Sequence, residues 1–495
     1  MELASGFVRS DNIFPRLDKN WKDTAEYLKK ITSDHILGPY EFAELYPNID
    51  TPQFSYFKEV RYYSCVILCK AQIEQYSDVF VASVLSDFHY AYGNDVFNVF
   101  LREPNDDVGD LKHVYDASAL KDKALKFVKS SLRSNNLLFW VKKKIFGDYT
   151  GLTVLVVSAH KFGNAGDDAI TEAAIKIVEK AMPGVRIILA SPPFSRLDVD
   201  MADVVCLGGG GLVYDSCFYN AMNYSNYLLY AKSQGKMTFA LGLGTQGVKS
   251  MKGAELFREA LSTCNVVVVR NKRDEEVLVL NCGVRCPVYT TNDVVFSFGK
   301  AAEQKEYAKK RRRLKVGVSL LESKNLLAAN RMASYRSGCE EVIDYLCENY
   351  DVHFIMQSED DRELYAPYIS KHGSKVVSFH FGNAQSYIDA YSDLDFCVTS
   401  RFHGFIFSLL AGTPVISVGS NAGKIDRLIK AAFPSMVGGY IPLRDFSFVN
   451  FQGKLASLLS SKPGFVAEEA ELQAAVQSAE DTAKILSRYL KCLKE

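Results

Sequence analysis

Arg401 and His403 stand two apart in "SRFHG" (400–404), at the mouth of the apolar stretch "GFIFSLLAG". The strand-like runs "DFCVTS" and "TPVISVG" flank it, so both residues belong at the N-terminus of a helix that follows a strand. Such an end carries roughly half a positive charge and unpaired N–H groups, which make it a prepared anion site. An arginine there adds a planar, two-pronged grip on carboxylate or phosphate. A histidine exchanges a proton near neutral pH. Gly404 would let a ligand approach closely, and Lys424, beyond the next strand, is a second cation for the same anion. The alternative is structural: Arg401 paired to an acid, and His403 serving as a cap.

Three more loops follow strand-like runs, at the carboxyl ends where open α/β sheets bind ligands. In "HKFGNAGDD", Gly163 and Gly166 allow a tight turn, while Asn164, Asp167 or Asp168 could cap the next helix or face a ligand. In "GGGGLVYD", Gly208 to Gly211 exclude side chains. A phosphate or sugar cradle (Gly209, Gly210, Gly211) or close packing against a neighbour would each require that. No Gly-Lys-Ser/Thr follows, so this is not a Walker A loop. Arg270 directly follows four valines, either as an anion ligand or as a salt-bridge partner of Asp274 or Glu275. Asp293, after "VYTTN", is expected to orient neighbouring groups, and Gln246 joins the substrate-binding set.

The elements that must position these residues alternate. From about residue 151, short β-branched runs ("TVLVVSA", "RIILA", "DVVCL", "MTFALGLG", "CNVVVV") alternate with helical spacing. The charged run "KEYAKKRRRLK" interrupts the pattern, which restarts with "KVGVSL", "DVHFIMQ", "KVVSF", "DFCVTS" and "TPVISVG". The reading is α/β: two doubly wound Rossmann-like domains, 151–304 and 316–495, joined by 305–315. The last segment, "AEEAELQAAVQSAEDTAKILSRYLKCL", is a long amphipathic helix expected to pack back across the domains. Residues 1–118 form a small α/β accessory domain, with "SDVFVASVLSDFHYAY" read as helical. Between them, 119–150 is basic and aromatic, with Lys142 to Lys144 beside Trp140 and Phe146. It reads either as a linker helix or as a peripheral contact with an anionic membrane surface.

Lys plus Arg and Asp plus Glu both total 58, and this balance argues against general nucleic-acid binding. Cys65/Cys69 and Cys282/Cys286 have no histidine near them in sequence, so no metal site is expected. The N-terminus lacks a signal-peptide pattern and no run is long and apolar enough to span a bilayer. The expected location is cytoplasmic, with the inner face of the membrane as a further expectation.

Jointly, these motifs resemble the polysaccharide pyruvyltransferase family over residues 151–440. The resemblance rests on Asn164-Ala165-Gly166-Asp167, Gly208 to Gly211, Arg270, "SRFHG" with "AGTPVIS", and Lys424. Asp274 stands where many members have serine, and "GSNAGK" lacks a tyrosine often found before the lysine. The resemblance implies a GT-B-like arrangement and phosphoenolpyruvate as donor. The product would be a pyruvate ketal across two hydroxyls of one sugar, possibly lipid-linked, with phosphate released. It implies no metal and no cofactor. His403 would do acid/base work, Arg401 and the other cations would stabilise the departing phosphate, and Asp167 or Asp168 would bind or deprotonate an acceptor hydroxyl. Two alternatives stay open: a GT-B glycosyltransferase using a sugar nucleotide, and a non-catalytic scaffold that binds sugars or anions.

Overall fold

The structure is a computed structural model describing residues 14–31, 33, 35–103, 151–160, 162–299, 313–320, 329–373, 376–380, 382–420, 423–460 and 464–490. The basic-aromatic segment 119–150 and most of the 305–315 linker lie outside the described residues.

Three sheets follow one another along the chain. The first holds β1 (Ile36–Leu37), β2 (Cys65–Cys69), β3 (His89–Gly93) and β4 (Phe97–Leu101), in the order β1-β2-β4-β3. The helical reading of 77–92 is corrected here: the helix stops at Asp87 and "HYAYG" is β3, antiparallel to β4. Aromatic residues at 90 and 92 suit a strand better than a helix.

The second sheet holds β5 (Thr153–Val157), β6 (Arg186–Ala190), β7 (Val204–Leu207), β8 (Gly210–Tyr214), β9 (Met237–Gly247), β10 (Val266–Val269) and β11 (Val288–Thr290). Its order is β11-β10-β9-β7-β5-β6, with β8 paired to β9, and every pairing is parallel. The third sheet holds β12 (Lys315–Ser319), β13 (Asp351–Met356), β14 (Val376–His380), β15 (Phe396–Thr399), β16 (Val415–Val418) and β17 (Tyr440–Ile441). Its parallel order, β14-β13-β12-β15-β16-β17, is that of a doubly wound dinucleotide-binding sheet. The inner strands β5, β10 and β16 are fully buried and rich in Val, Ile and Leu, as strands covered on both faces require. The strand order reverses between β5 and β7 in one sheet and between β12 and β15 in the other. These are the crevices where such sheets take ligands.

Two features bind the units together. The N-terminal sheet has its own core on one side, around Phe42, Ile67 and Phe97, while Val66, Leu68 and Phe100 join the core of the second sheet. The last helix, Glu469–Leu490, belongs by sequence to the third sheet but packs on the second. Ala475, Ala479 and Ala483 form a small-residue stripe that lets it approach closely. Ser478 accepts from Asn292 N (3.0 Å), and Ser487 donates to Ala181 O (3.3 Å). The described residues contain no helix long and apolar enough to cross a membrane.

Candidate active site

The helix Phe402–Ala411 begins one turn beyond β15, with Arg401 at its N-cap in extended backbone. His403 therefore projects from its first turn, at the crevice of the third sheet. Facing it is the first turn of Ala165–Ala181, the helix that leaves the crevice of the second sheet. Two bonds seat that helix on the opposite unit: Ala165 N, in the first turn, donates to Gln357 O (2.8 Å), and Ala384 N donates to Glu172, two turns on (3.0 Å). A Cβ on Gly166 would lie 2.0 Å from His403 Nδ1, so only glycine admits the imidazole here.

The other edge of that ring meets a carboxylate. His403 Nε2 is 3.8 Å from Asp293 Oδ2, an ion-pair separation rather than a hydrogen bond. Nε2 is buried and has no hydrogen-bond partner among the described residues. Arg270 Nη1 holds the same Asp293 oxygen at 3.0 Å, and Asp293 Oδ1 accepts from Val295 N (3.1 Å). Burial opposes ionisation of Asp293, but His403, Arg270 and the Val295 N–H outweigh it and hold the carboxyl well below the usual range. The Arg270 guanidinium sits 5.1 Å above the Phe402 ring and packs on Gly244, where a Cβ would come within 2.4 Å of it.

Lys424 opens the helix Lys424–Ala432, after Gly423 at a φ of 58°. Burial and the nearby Arg270 pull its ammonium down to about 8, against the pull of Asp167 and Asp274. Asp167 moves the opposite way: burial raises its carboxyl although His403, Lys424 and Arg270 all favour its charge. An acid pushed up and a base pushed down, in one crevice, are groups fitted to exchange protons near neutral pH.

Several expected ligands have other occupations. Arg401 makes a buried ion pair. Its Nη2 binds Asp361, which is 2% exposed, and Ser358 Oγ (2.8 Å). Gly404 faces its own unit, where a Cβ would strike Thr399, Gln357 and Tyr391, so it makes no room for a ligand. Gly208 and Gly209 are packing positions against Val156, Ile170 and the Leu241 carbonyl. Gly210 and Gly211 begin β8 instead of ending β7, with Gly210 facing Asp167 and Gly211 facing Gln246. Gln246 donates to Gly211 O (2.7 Å) from an exposed position. Asn164 is the helix cap, accepting from Gly166 N (3.0 Å), and Gly163 turns the loop at a φ of 72° beside Glu359. Asp168 lies in the first helical turn. Asp274 accepts from Thr245 N and Thr245 Oγ1 (2.9 and 2.8 Å), so it holds β9 in place.

Ser358, Asp361 and Phe402 were not singled out from sequence. The signal for Asp361 was its place in "QSEDD", at the carboxyl end of β13. The described residues hold no group of three or more His, Cys, Asp or Glu able to bind a metal ion.

No curated protein matches the chain. Among solved structures, S. aureus MnaA with UDP is 10% identical at a TM-score of 0.45, covering 70% of this chain and 98% of that one. The UDP-GlcNAc 2-epimerase of Methanocaldococcus jannaschii is 10% identical at 0.45, covering 68% and 100%. Sucrose-phosphate synthase of Thermosynechococcus elongatus is 10% identical at 0.40, covering 69% and 98%. Residues 164–421, which contain Asp167, Arg270, Asp293 and His403, match the family described as polysaccharide pyruvyl transferase. That match spans more than half of the sequence, and the chain belongs to the polysaccharide pyruvyl transferase family.

Proposed function

We propose that the protein moves the pyruvyl group of phosphoenolpyruvate onto two hydroxyls of one sugar in a surface polysaccharide or its precursor. The observation that carries this reading is the convergence of His403, Asp293, Arg270, Lys424 and Asp167 from the carboxyl ends of two sheets. The donor is a small anion with a carboxylate and a phosphate. Arg270 and Lys424 supply cations for it, and the helix Phe402–Ala411 aims its N–H groups at the same place. A proton goes to the donor's methylene carbon, which becomes the methyl group. One sugar hydroxyl then attacks the adjacent carbon, and the second displaces phosphate. Two hydroxyl protons are lost, one balancing the methyl group and one leaving on hydrogen phosphate. His403 is the group we assign to proton transfer, with Asp293 holding its ring and Asp167 receiving an acceptor hydroxyl.

We place the reaction in the cytoplasm. A lipid-linked acceptor, met at the membrane through segment 121–146, belongs to the same reading, and flotation on liposomes with and without anionic lipid checks it. The test of the reaction is phosphate release from phosphoenolpyruvate with a panel of sugar acceptors, run beside a matched panel of sugar nucleotides. Acceptor-dependent release, lost in His403→Ala, supports the transfer. Turnover of a sugar nucleotide alone replaces it with glycosyl transfer, and binding without turnover replaces it with a scaffold.

A further inference from the structure

The side chain that β13 delivers at its carboxyl end is a buried amide. Gln357 directly follows Met356 and is 2% exposed. Such a group is costly unless its polar atoms find partners. Its backbone is fixed from within its own unit. Gln357 N and Ser358 N both donate to Asp361 Oδ2 (2.7 and 3.1 Å), and the other oxygen of that carboxylate takes Arg401. The Gln357 carbonyl faces the other unit, where it accepts from Ala165 N (2.8 Å), and Ser358 forms an isolated antiparallel bridge with Asn164.

The side chain works in the opposite direction. Gln357 Nε2 donates to Ser319 Oγ (3.0 Å), at the end of β12, and to the Tyr391 hydroxyl (3.1 Å), in the helix Ala384–Ser392. The amide also lies against Gly404. A Cβ there would come within 2.7 Å of Gln357 Nε2, 2.6 Å of Thr399 Oγ1 and 2.9 Å of the Tyr391 hydroxyl. Thr399 Oγ1 in turn accepts from Arg401 N (3.1 Å). The first turn of Phe402–Ala411 therefore rests on this amide and its neighbours. One residue touches both helix ends: its carbonyl seats the turn that carries Gly166, and its amide backs the turn that carries His403. Those two turns close on the imidazole, whose Nδ1 would lie 2.0 Å from a Gly166 Cβ. The 3.8 Å between His403 and Asp293 thus follows from how far apart the two turns are held. Buried polar groups bonded to one another are stiff, and a misplacement of about 1 Å costs a reaction about a hundredfold in rate.

We propose that Gln357 is a positioning residue for His403. It touches neither donor nor acceptor. It sets the gap between the two helix ends, and so aims the imidazole at Asp293 and at the reacting carbon. This inference rests on the proposed transfer, and the measurement is chosen to separate the two.

Gln357→Met keeps the length of the side chain and removes both amide bonds, while the backbone bonds to Ala165 and Asp361 stay. Phosphate release from phosphoenolpyruvate should show kcat lowered about ten- to a hundredfold. The KM and the calorimetric Kd for phosphoenolpyruvate should stay as they were, because Arg270 and Lys424 are untouched. Tyr391→Phe removes one of the two bonds and should fall between wild type and Gln357→Met; it carries the test if Gln357→Met does not fold. In parallel, NMR of the full chain with isotope-labelled histidine follows the imidazoles, the His403 signal being the one absent from His403→Ala. That signal should move in both variants with no donor present. An amide with a structural role alone would lower the melting temperature and leave kcat and the His403 signal where they were. That result in a folded variant overturns the proposal, as does loss of donor affinity at unchanged kcat. Should phosphoenolpyruvate not turn over in the wild type, the transfer fails by itself. The His403 signal then still decides whether Gln357 places the ring.

Discussion

His403 Nε2 lies 3.8 Å from Asp293 Oδ2, and the two residues come from different units of the chain. The imidazole follows β15 of the third sheet, whereas the carboxylate follows β11 of the second. The pair is thus assembled by the meeting of two crevices, neither of which holds both members.

His403→Ala should lower turnover by about 10²- to 10⁴-fold, the usual contribution of a positioned acid or base. Asp293→Asn keeps the shape but removes the charge, and should lower kcat with less effect on donor affinity. Phosphate-release kinetics and calorimetric titration with phosphoenolpyruvate separate the two effects. Wild-type turnover in His403→Ala would remove the residue from the mechanism.

Gly166→Ala tests the same ring from its other side. The new methyl would lie 2.0 Å from Nδ1, so the imidazole or the whole helix turn must shift. Activity should fall toward that of His403→Ala while the circular dichroism spectrum stays unchanged. Full activity in this variant would show that the two helix ends do not meet in the working enzyme.

Lys424 gives a pH signature. Its ammonium titrates at about 8, so donor affinity should weaken as pH rises through 8. A bound anion favours the charged form, so binding near pH 8 to 9 should take up protons. Calorimetry in buffers of differing ionisation enthalpy measures this. The stability effect has the opposite sense. Between about 8 and the ordinary 10.5 the unfolded chain holds more protons than the folded one, so this group's contribution rises with pH across that window. Below it, the buried charge carries its full cost. Lys424→Met should melt higher than wild type at pH 7 while binding donor poorly, and a lower melting temperature would contradict this assignment.

Arg401→Ala should act mainly on stability. It leaves Asp361 buried without its cation, a change that costs about 3–5 kcal/mol in comparable pairs. Adding Asp361→Asn should recover part of that loss in urea unfolding. A variant that unfolds like wild type yet loses donor binding would return Arg401 to the role of anion ligand.

The sheets were legible because their strands are runs of Val, Ile and Leu too apolar for any solvated face, and the reversal of order followed from the alternation with helices. The crevice was legible because Arg270 stands just past such a run, and Arg401 and Asp293 just past the shorter strands Phe396–Thr399 and Val288–Thr290. Partners were not. Asp361 is forty residues from Arg401, and nothing local distinguishes it from Asp360 or Glu359. Glycine was legible as a place where side chains are excluded, but not as to what excludes them. At Gly166 it is an imidazole, at Gly404 a cluster of polar side chains, at Gly209 a carbonyl, and none of these can be read from spacing.

The helix Glu469–Leu490 completes the core of a sheet whose last strand ended at Thr290. The intervening third sheet is, in chain order, an insertion into the second. On a ribosome the second sheet must therefore wait, one flank uncovered, while roughly 10 to 40 s of further synthesis delivers its final helix. A chain halted before that helix would leave bare the flank that Ala475, Ala479 and Ala483 cover in the finished fold.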